Sequence, residues 1–206
     1  MDETVPVPTS VPLSDWLSEL AQPTGAPGGG AACGVILGIS AALLRMVAEY
    51  TDDGQAAESA ARLTRWREDV LTAAEADEVR SAEFGAALAL NSSDPERDER
   101  VREAAVHAAV SSAAIGEAGE RLLPELCLLA EVGNPSLAAD LCIAADALAT
   151  GIRGVSTNLR ANLQTASRHG ARKGDHPSLV AAVERFRVVQ EAAGGVARKL
   201  SAAFDD

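Results

Sequence analysis

Apolar residues recur along this chain at spacings of three, four and seven, the pattern of helices that bury one face. The longest uninterrupted apolar stretch, residues 31–44, predicts a buried helix. A short helix carrying Trp16 is predicted near the N-terminus, with Ser14 and Asp15 as its capping residues. Longer amphipathic stretches predict four further helices, over 56–90, 96–132, 136–166 and 178–203. Pro124 predicts a kink or a split within 96–132, because proline interrupts a helix.

Composition supports a helical protein. Of the 206 residues, 42 are Ala and only six are aromatic, and this bias favours helices over strands. A chain of this length corresponds to one domain. We therefore predict an all-α fold, a single-domain bundle of long helices over residues 13–206, preceded by a flexible arm over 1–12.

The net charge and the cysteine content limit which binding partners and which cellular compartment we expect for this protein. A formal net charge of −12 disfavours nucleic-acid binding, because proteins hold phosphates through Lys and Arg. Residues 31–44 fall short of the roughly 20 apolar residues that span a bilayer, and the acidic N-terminus is unlike a signal peptide. Cys33, Cys127 and Cys142 form no CxxC pair, and no His spacing suggests a metal site. We predict a cytoplasmic protein without a nucleic-acid, membrane or metal partner.

One acidic residue falls on an apolar helix face. Asp77 shares a face of the predicted helix 56–90 with a set of mostly apolar residues: Leu63, Val70, Ala74, Ser81, Phe84 and Leu88. A desolvated carboxylate is either a member of a structural ion pair or a tuned general acid or base. Periodicity leaves both readings open, and it turns Glu75 and Glu78 away from this face, so we predict that they are solvated.

The helix predicted over 136–166 carries polar residues along a strip of small ones. These residues are Asp140, Ala144, Ala147, Gly151, Gly154, Asn158 and Asn162. The strip predicts either a ligand groove or the approach of a neighbouring helix. Because Asp140 and Asn158 are about 27 Å apart along an unbroken helix, they cannot contact the same atom.

Two further features suggest the binding of an anion. Gly28, Gly29 and Gly30 precede the apolar helix, so backbone N–H groups there can converge on a negative group; a flexible connecting loop is the alternative. The second feature is a local excess of positive charge farther along the sequence. It could bind an anionic ligand or could instead balance the charge of the acidic stretch 75–103. Its members are Arg153, Arg160, Arg168, Arg172 and Lys173. Within the apolar helix, Gly34 and Gly38, followed by Ala41 and Ala42, predict close helix packing.

The order of several short motifs resembles the cyclodeaminase/cyclohydrolase family, which includes formiminotransferase-cyclodeaminase and methenyltetrahydrofolate cyclohydrolases. The likeness extends from residue 13 to about residue 200. The motifs are Leu13-Ser14-Asp15-Trp16-Leu17, Pro27-Gly28-Gly29-Gly30, Met46-Val47-Ala48, Gly133-Asn134-Pro135, Asp140, Arg153-Gly154, Asn158 and Asn162.

The resemblance implies a helical homodimer that acts on a one-carbon unit carried by tetrahydrofolate, with no cofactor beyond that substrate. It places the acidic motif of the family on Glu75 and Asp77, and it leads us to expect Asp77 and Asp140 as catalytic residues. The same likeness suggests substrate contacts from Gly28 to Gly30, Asn134, Asn158 and Asn162. Arg153 and Arg160 are then candidates for pairing with a glutamate carboxylate.

The chain departs from the family pattern at three places. Ala31 follows the triple glycine where Ser is usual, Ser81 stands where an aromatic residue is expected, and 51–55 is acidic where the family is rich in Gly and Lys. The first interpretation is a cyclodeaminase or a cyclohydrolase. A catalytically impaired dimer that binds a folate-like ligand or a partner is the alternative, and a purely structural bundle is a third possibility.

Overall fold

Helices form nearly all of the computed structural model, which describes residues 11–23, 25–172 and 174–204. Most of the predicted arm over 1–12 lies outside these residues. The described part contains seven α-helices, one 3-10 turn over Pro135–Leu137 and no strand, which confirms the all-α prediction. The helices are α1 (Leu13–Leu20), α2 (Gly29–Glu49), α3 (Gly54–Leu88), α4 (Arg97–Glu120), α5 (Leu122–Val132), α6 (Ala138–Arg168) and α7 (Pro177–Ala202).

The split predicted at Pro124 is present. Pro124 has no N–H, so it cannot donate to the carbonyl of Glu120, four residues earlier. Helix α4 ends at Glu120. The chain resumes as α5 at Leu122, so Pro124 lies in the first turn of the new helix. Proline is tolerated at this place because the first N–H groups of a helix have no intrahelical partner.

The predicted cap of α1 is wrong. The helix begins at Leu13, one residue before Ser14, and its N-terminus has no side-chain cap. The Pro12 carbonyl accepts the N–H groups of Asp15 and Trp16, so the first turn closes earlier than the capping pattern suggests. The Ser14 hydroxyl instead donates to the Asp15 carboxylate.

Four helices form a closed ring: α2 packs on α3, α3 on α4, α4 on α6, and α6 back on α2. Neighbours in the ring are antiparallel, since Gly30 and Gly34 of α2 face Asp77 and Ala74 of α3 in reverse order. Helix α7 packs outside this ring against α6 and α4, and α5 packs against several of the helices.

Glycine at the helix crossings lets the backbones of the ring come close together. A methyl at Gly34 would overlap the Ala74 Cβ, and one at Gly151 would lie 2.6 Å from Leu37 Cγ. Gly38 faces Leu71 of α3. The small-residue stripe predicted for α2 therefore packs as expected up to Ala41, whereas Ala42 is exposed because it has turned past the crossing.

Side-chain bonds join the helices as well. Arg62 of α3 donates from Nε and Nη2 to the two carboxylate oxygens of Glu125 on α5, at 2.9 and 3.0 Å. The Ser40 hydroxyl of α2 donates to the carbonyl oxygen of Ala144 on α6 at 2.8 Å. These bonds satisfy polar groups that are otherwise costly to bury.

Two segments, Gly29–Glu49 and Pro135–Arg168, have the length and apolar composition of a membrane span, although core helices of globular proteins meet the same criterion. In both segments many residues are not buried within the chain. Within the most apolar window of each, 56% of α2 and 33% of the second segment is buried inside the chain.

We expect Gly34→Ala to destabilise the fold by about 1–3 kcal/mol, because the added methyl forces α2 and α3 apart. The control is Gly85→Ala in α3, where an added Cβ meets nothing within 4 Å. Alanine is the better helix former there, so this change leaves the free energy of unfolding equal or raises it by up to about 1 kcal/mol. Urea unfolding measures both, and equal effects would contradict the close-packing explanation.

Candidate active site

One corner of the helical ring is open. The first turn of α2 lies opposite Asp77, yet α3 continues from Asp77 to Leu88, about 16 Å farther. Helices α4 and α6 also extend past this level. The space left by the missing turns is a cavity of about 270 Å³. Its lining residues are Gly25, Gly28, Gly29, Gly30, Asp77, Ser81, Phe84, Gly85, Leu88, Ala108, Ser112, Asn158 and Asn162.

Asp77 lies at the base of this cavity. Its exposed fraction is 3%, so the side chain points inwards, as its position on the apolar face predicts. A methyl at Gly30 would overlap the Asp77 carboxylate. Only glycine at this position allows α2 to begin so close to the carboxyl group.

Hydroxyl groups, and no cations, surround the Asp77 carboxylate. The Ser81 Oγ donates to Asp77 Oδ2 over a long 3.4 Å, and the Ser111 side chain also bonds to this carboxylate. In the described part of the chain no Arg, Lys or His pairs with Asp77. Burial raises the pKa of Asp77, and the two serine bonds counteract the rise only in part. Within one chain this carboxyl group is therefore not a member of a structural ion pair.

The facing wall contributes neutral polar groups. Asn162 Nδ2 of α6 lies 3.4 Å from Ser112 Oγ of α4, and this hydroxyl donates to the Ala108 carbonyl at 2.9 Å. The Asn158 carboxamide of α6 lies beside Gly29. The base of the cavity thus combines one carboxyl group with amides and hydroxyls. Among its described lining residues there is no Arg, Lys or His.

The structure brings together several of the residues predicted for the site. Asp77, Asn158, Asn162 and the glycines Gly28–Gly30 all line the cavity. The sequence predicts a negative group at the triple glycine. In the structure, the Asp77 carboxylate of the same chain is that group, because Gly30 lies directly against it. None of the described arginines of the predicted basic patch lines this cavity.

Asn134 and Asp140 lie far from the cavity. Asn134 follows α5, where its Nδ2 donates to the Tyr50 carbonyl and its Oδ1 accepts the Ser136 N–H. It joins two loops at the C-terminal end of α2. Asp140 is in the first turn of α6, about 27 Å from Asn158 along the helix axis. In one chain neither residue reaches a ligand at Asp77.

The two predicted arginines also lie elsewhere. Arg153 is exposed and lines a separate cavity of about 350 Å³ between α6 and α7, together with Arg198. Arg160 is exposed and its Nε donates to the Ser156 carbonyl in its own helix. Both arginines lie on faces of α6 that point away from the cavity wall formed by Asn158 and Asn162. Lys173 lies outside the described residues.

Glu78 corrects a prediction, because it is buried and not solvated. Its exposed fraction is 1%, and Trp16 Nε1 of α1 donates to its Oε1 at 3.0 Å. Its Oε2 is also buried and has no hydrogen-bond partner among the described residues. Burial raises the pKa of Glu78, and the nearby charges of Glu75 and Asp77 add to the rise. Helical periodicity gives no sign of this burial, which accompanies the contact of Glu78 with Trp16 of α1.

Two of the three departures from the family pattern, Ser81 and the stretch 51–55, lie at different places along α3 and the segment before it. Ser81 lies in the cavity and donates to Asp77. The acidic stretch 51–55 lies at the opposite end of α3, where Asp53 caps the helix by accepting the N–H groups of Gln55 and Ala56. Its charge thus serves the start of a helix. Among the residues that the structure describes, no three His, Cys, Asp or Glu side chains are grouped to hold a metal ion.

Comparison with known proteins identifies the family. The formiminotransferase-cyclodeaminase family model matches residues 12–173. Among solved structures, the chain is similar to formiminotetrahydrofolate cyclodeaminase from Thermotoga maritima, with a TM-score of 0.80 and 20% identity, over 96% of this chain and 99% of that one. No curated protein matches. The resemblance found from the motifs is thus confirmed, and the chain belongs to the formiminotransferase-cyclodeaminase family.

Proposed function

We propose that this protein is a tetrahydrofolate-dependent one-carbon enzyme, either a formiminotetrahydrofolate cyclodeaminase or a 5,10-methenyltetrahydrofolate cyclohydrolase, with Asp77 as its acid/base residue. Family membership supports the substrate class. The observation that carries the role of Asp77 is its buried carboxyl group, which faces a cavity and has no cationic partner in the described chain.

In the cyclodeaminase reaction, N10 of the folate attacks the formimino carbon on N5. The protonated formimino nitrogen takes up the proton that N10 loses, and its bond to the carbon breaks to release ammonia and leave the cationic methenyl bridge. In the cyclohydrolase reaction, water adds to the cationic methenyl carbon and loses a proton. The hydroxyl proton of the adduct then passes to one bridge nitrogen as the bond of that nitrogen to the carbon breaks, which leaves a formyl group on the other nitrogen. Both reactions move protons close to a positively charged carbon.

A desolvated carboxylate suits this chemistry for two reasons. Its negative charge interacts strongly with a cationic bridge in a water-poor site. Because burial raises its pKa, Asp77 takes up and returns a proton closer to neutral pH than an exposed aspartate does. We assign the Asn158 and Asn162 carboxamides to hydrogen bonding with the substrate ring. The glycines Gly28–Gly30 leave room for the ring at the end of α2.

The proposed reactions involve no electron transfer, so we propose no cofactor beyond the tetrahydrofolate-derived substrate. The distance of Asp140 from the cavity removes it as a second acid within one chain. Asn134, Arg153 and Arg160 are likewise not assigned to the substrate in this cavity. The free thiols of Cys33, Cys127 and Cys142 agree with a reducing compartment, and we propose the cytoplasm.

We also propose that the protein is a homodimer that pairs through the outer face of α2. This face carries apolar residues at alternating spacings of three and four, and each is at least partly exposed: Ala32, Ile36, Ile39, Leu43, Met46 and Tyr50. The exposed fractions of Ile39 and Tyr50 are 49% and 68%. A helix that is apolar on both faces is normally buried, and one apolar stripe pairs with its own copy about a two-fold axis.

We expect Asp77→Asn to lower kcat/KM about 10²- to 10⁴-fold with whichever substrate the wild type turns over, because the amide cannot exchange the proton. Glu83→Gln is the control, since Glu83 is on the same helix but exposed and paired with Arg80. Turnover assays with formimino- and methenyltetrahydrofolate measure the effect. Full activity of Asp77→Asn would remove Asp77 from the reaction, and binding without turnover by the wild type would favour the impaired homologue.

We expect Asp77→Asn to make the protein more stable at pH 7–8. The pKa of Asp77 is raised in the folded state, so the folded chain holds this proton more tightly than the unfolded chain. Wild-type stability then falls as the pH rises from below about 4, the unfolded value, through the folded pKa. The amide does not titrate, so its advantage grows with pH and then levels off. Urea unfolding across pH 4–8 tests this, and a pH-independent difference would refute it.

The dimer proposal predicts that Ile39→Lys yields a monomer, because it places a charge in the middle of the apolar stripe. Light scattering at micromolar concentration measures the molecular mass. Val188→Lys on α7 is the control, since Val188 is similarly exposed at 52% but lies on another helix. A monomeric wild type, or a dimer that is unaffected by Ile39→Lys, would show that α2 is not the interface.

A further inference from the structure

The cavity at Asp77 changes character along α3. Asp77 and Ser81 place a carboxyl and a hydroxyl group at its base. Phe84, Gly85 and Leu88 follow towards the open end of the ring and offer mainly carbon surface. Because these residues repeat at intervals of three and four, they lie on one face of the helix. A ligand that fills this cavity therefore has a polar end and an apolar part.

Phe84 is the only aromatic residue among the described lining residues. It lies about 10 Å from Asp77 along the helix axis, and it is partly exposed, so its ring is accessible from the open end. Gly25 lines the same cavity with a positive φ of 87° and no side chain. The outer half of the cavity is thus lined by one aromatic side chain and by a glycine that adds no side chain of its own.

The position of Phe84 complements that of Ser81. Ser81 stands where the family pattern leads to an aromatic residue, and its small side chain donates to Asp77. Phe84 follows one turn farther from the base. The aromatic surface of this cavity therefore lies farther out than the Asp77 carboxyl group.

We propose that Phe84 is a specificity-determining residue, which stacks on an aryl group attached to the polar ring of the substrate. This inference rests on the proposed function, in which the polar ring is the pterin and the aryl group is the aminobenzoyl unit of tetrahydrofolate. Offset-stacked aromatic pairs contribute a factor of roughly 2 to 13 in affinity beyond the area that they bury.

Charge and size support the same orientation. No Arg, Lys or His among the described residues lines the cavity, so the glutamate carboxylates gain no ion pair inside it. Its volume of about 270 Å³ is just below the range of roughly 300–1,000 Å³ that encloses whole drug-sized ligands. The cavity therefore takes the ring system and leaves the glutamate tail outside.

Calorimetric titration with three probes tests the role of Phe84. The probes are tetrahydrofolate, 6-methyltetrahydropterin, which lacks the aryl group, and p-aminobenzoylglutamate, which lacks the pterin. We expect Phe84→Leu to weaken tetrahydrofolate and p-aminobenzoylglutamate binding about 3- to 10-fold, and to change 6-methyltetrahydropterin binding less than about 2-fold. Phe84→Tyr keeps the ring and should restore binding. Phe204→Leu, which removes an exposed phenylalanine beyond α7, is the control.

If Phe84→Leu weakens the binding of tetrahydrofolate and 6-methyltetrahydropterin equally, or weakens neither, the stacking role is overturned. Turnover by the wild type would still support the proposed function in that case. A wild type that binds p-aminobenzoylglutamate through Phe84 but turns over neither folate substrate keeps the aryl subsite and overturns the enzymatic proposal. Failure of the wild type to bind any of the three probes overturns both. Urea unfolding of Phe84→Leu and Phe84→Tyr checks that the fold is intact.

Discussion

The contact between the first turn of α2 and the Asp77 carboxylate constrains the rest of the structure. Gly30 has no side chain, so α2 can begin directly against the carboxyl group. The unpaired N–H groups of a helix N-terminus carry partial positive charge, which partly offsets the loss of water around Asp77. Because α2 begins at this level while its three neighbours in the ring continue, the same contact also creates the cavity.

Two consecutive buried carboxyl groups make this region costly for stability. Asp77 faces the cavity and Glu78 faces α1, and burial raises the pKa of both. Apolar packing elsewhere has to compensate for the cost of burying these two groups. The close helix crossings at glycine residues supply that packing. A methyl at Gly116, for example, would overlap the Phe186 ring. The site is thus held open by a tightly interlocked bundle, a common arrangement where function requires an unfavourable charge.

The sequence predicted the helices well, because each has a long apolar repeat and Pro124 has one unavoidable effect on the backbone. The sequence was less informative at the helix ends. Ser14 and Asp15 were expected to cap α1, but the Pro12 carbonyl closes the first turn instead. Glu78 was missed for a different reason. Its burial depends on Trp16, 62 residues away in the sequence, and no local pattern encodes that contact.

By itself the sequence determined which way Asp77 faces, because helical periodicity fixes the angle of a side chain around its axis. It also identified Asn158 and Asn162 as polar residues on a small-residue strip. Only the tertiary structure decided that these asparagines line the same cavity as Asp77 and that Asp140 does not. The level at which two helices cross depends on contacts between them. Here Gly30 and Gly34 of α2 set that level against α3, and Gly151 and Gly154 of α6 set it against α2.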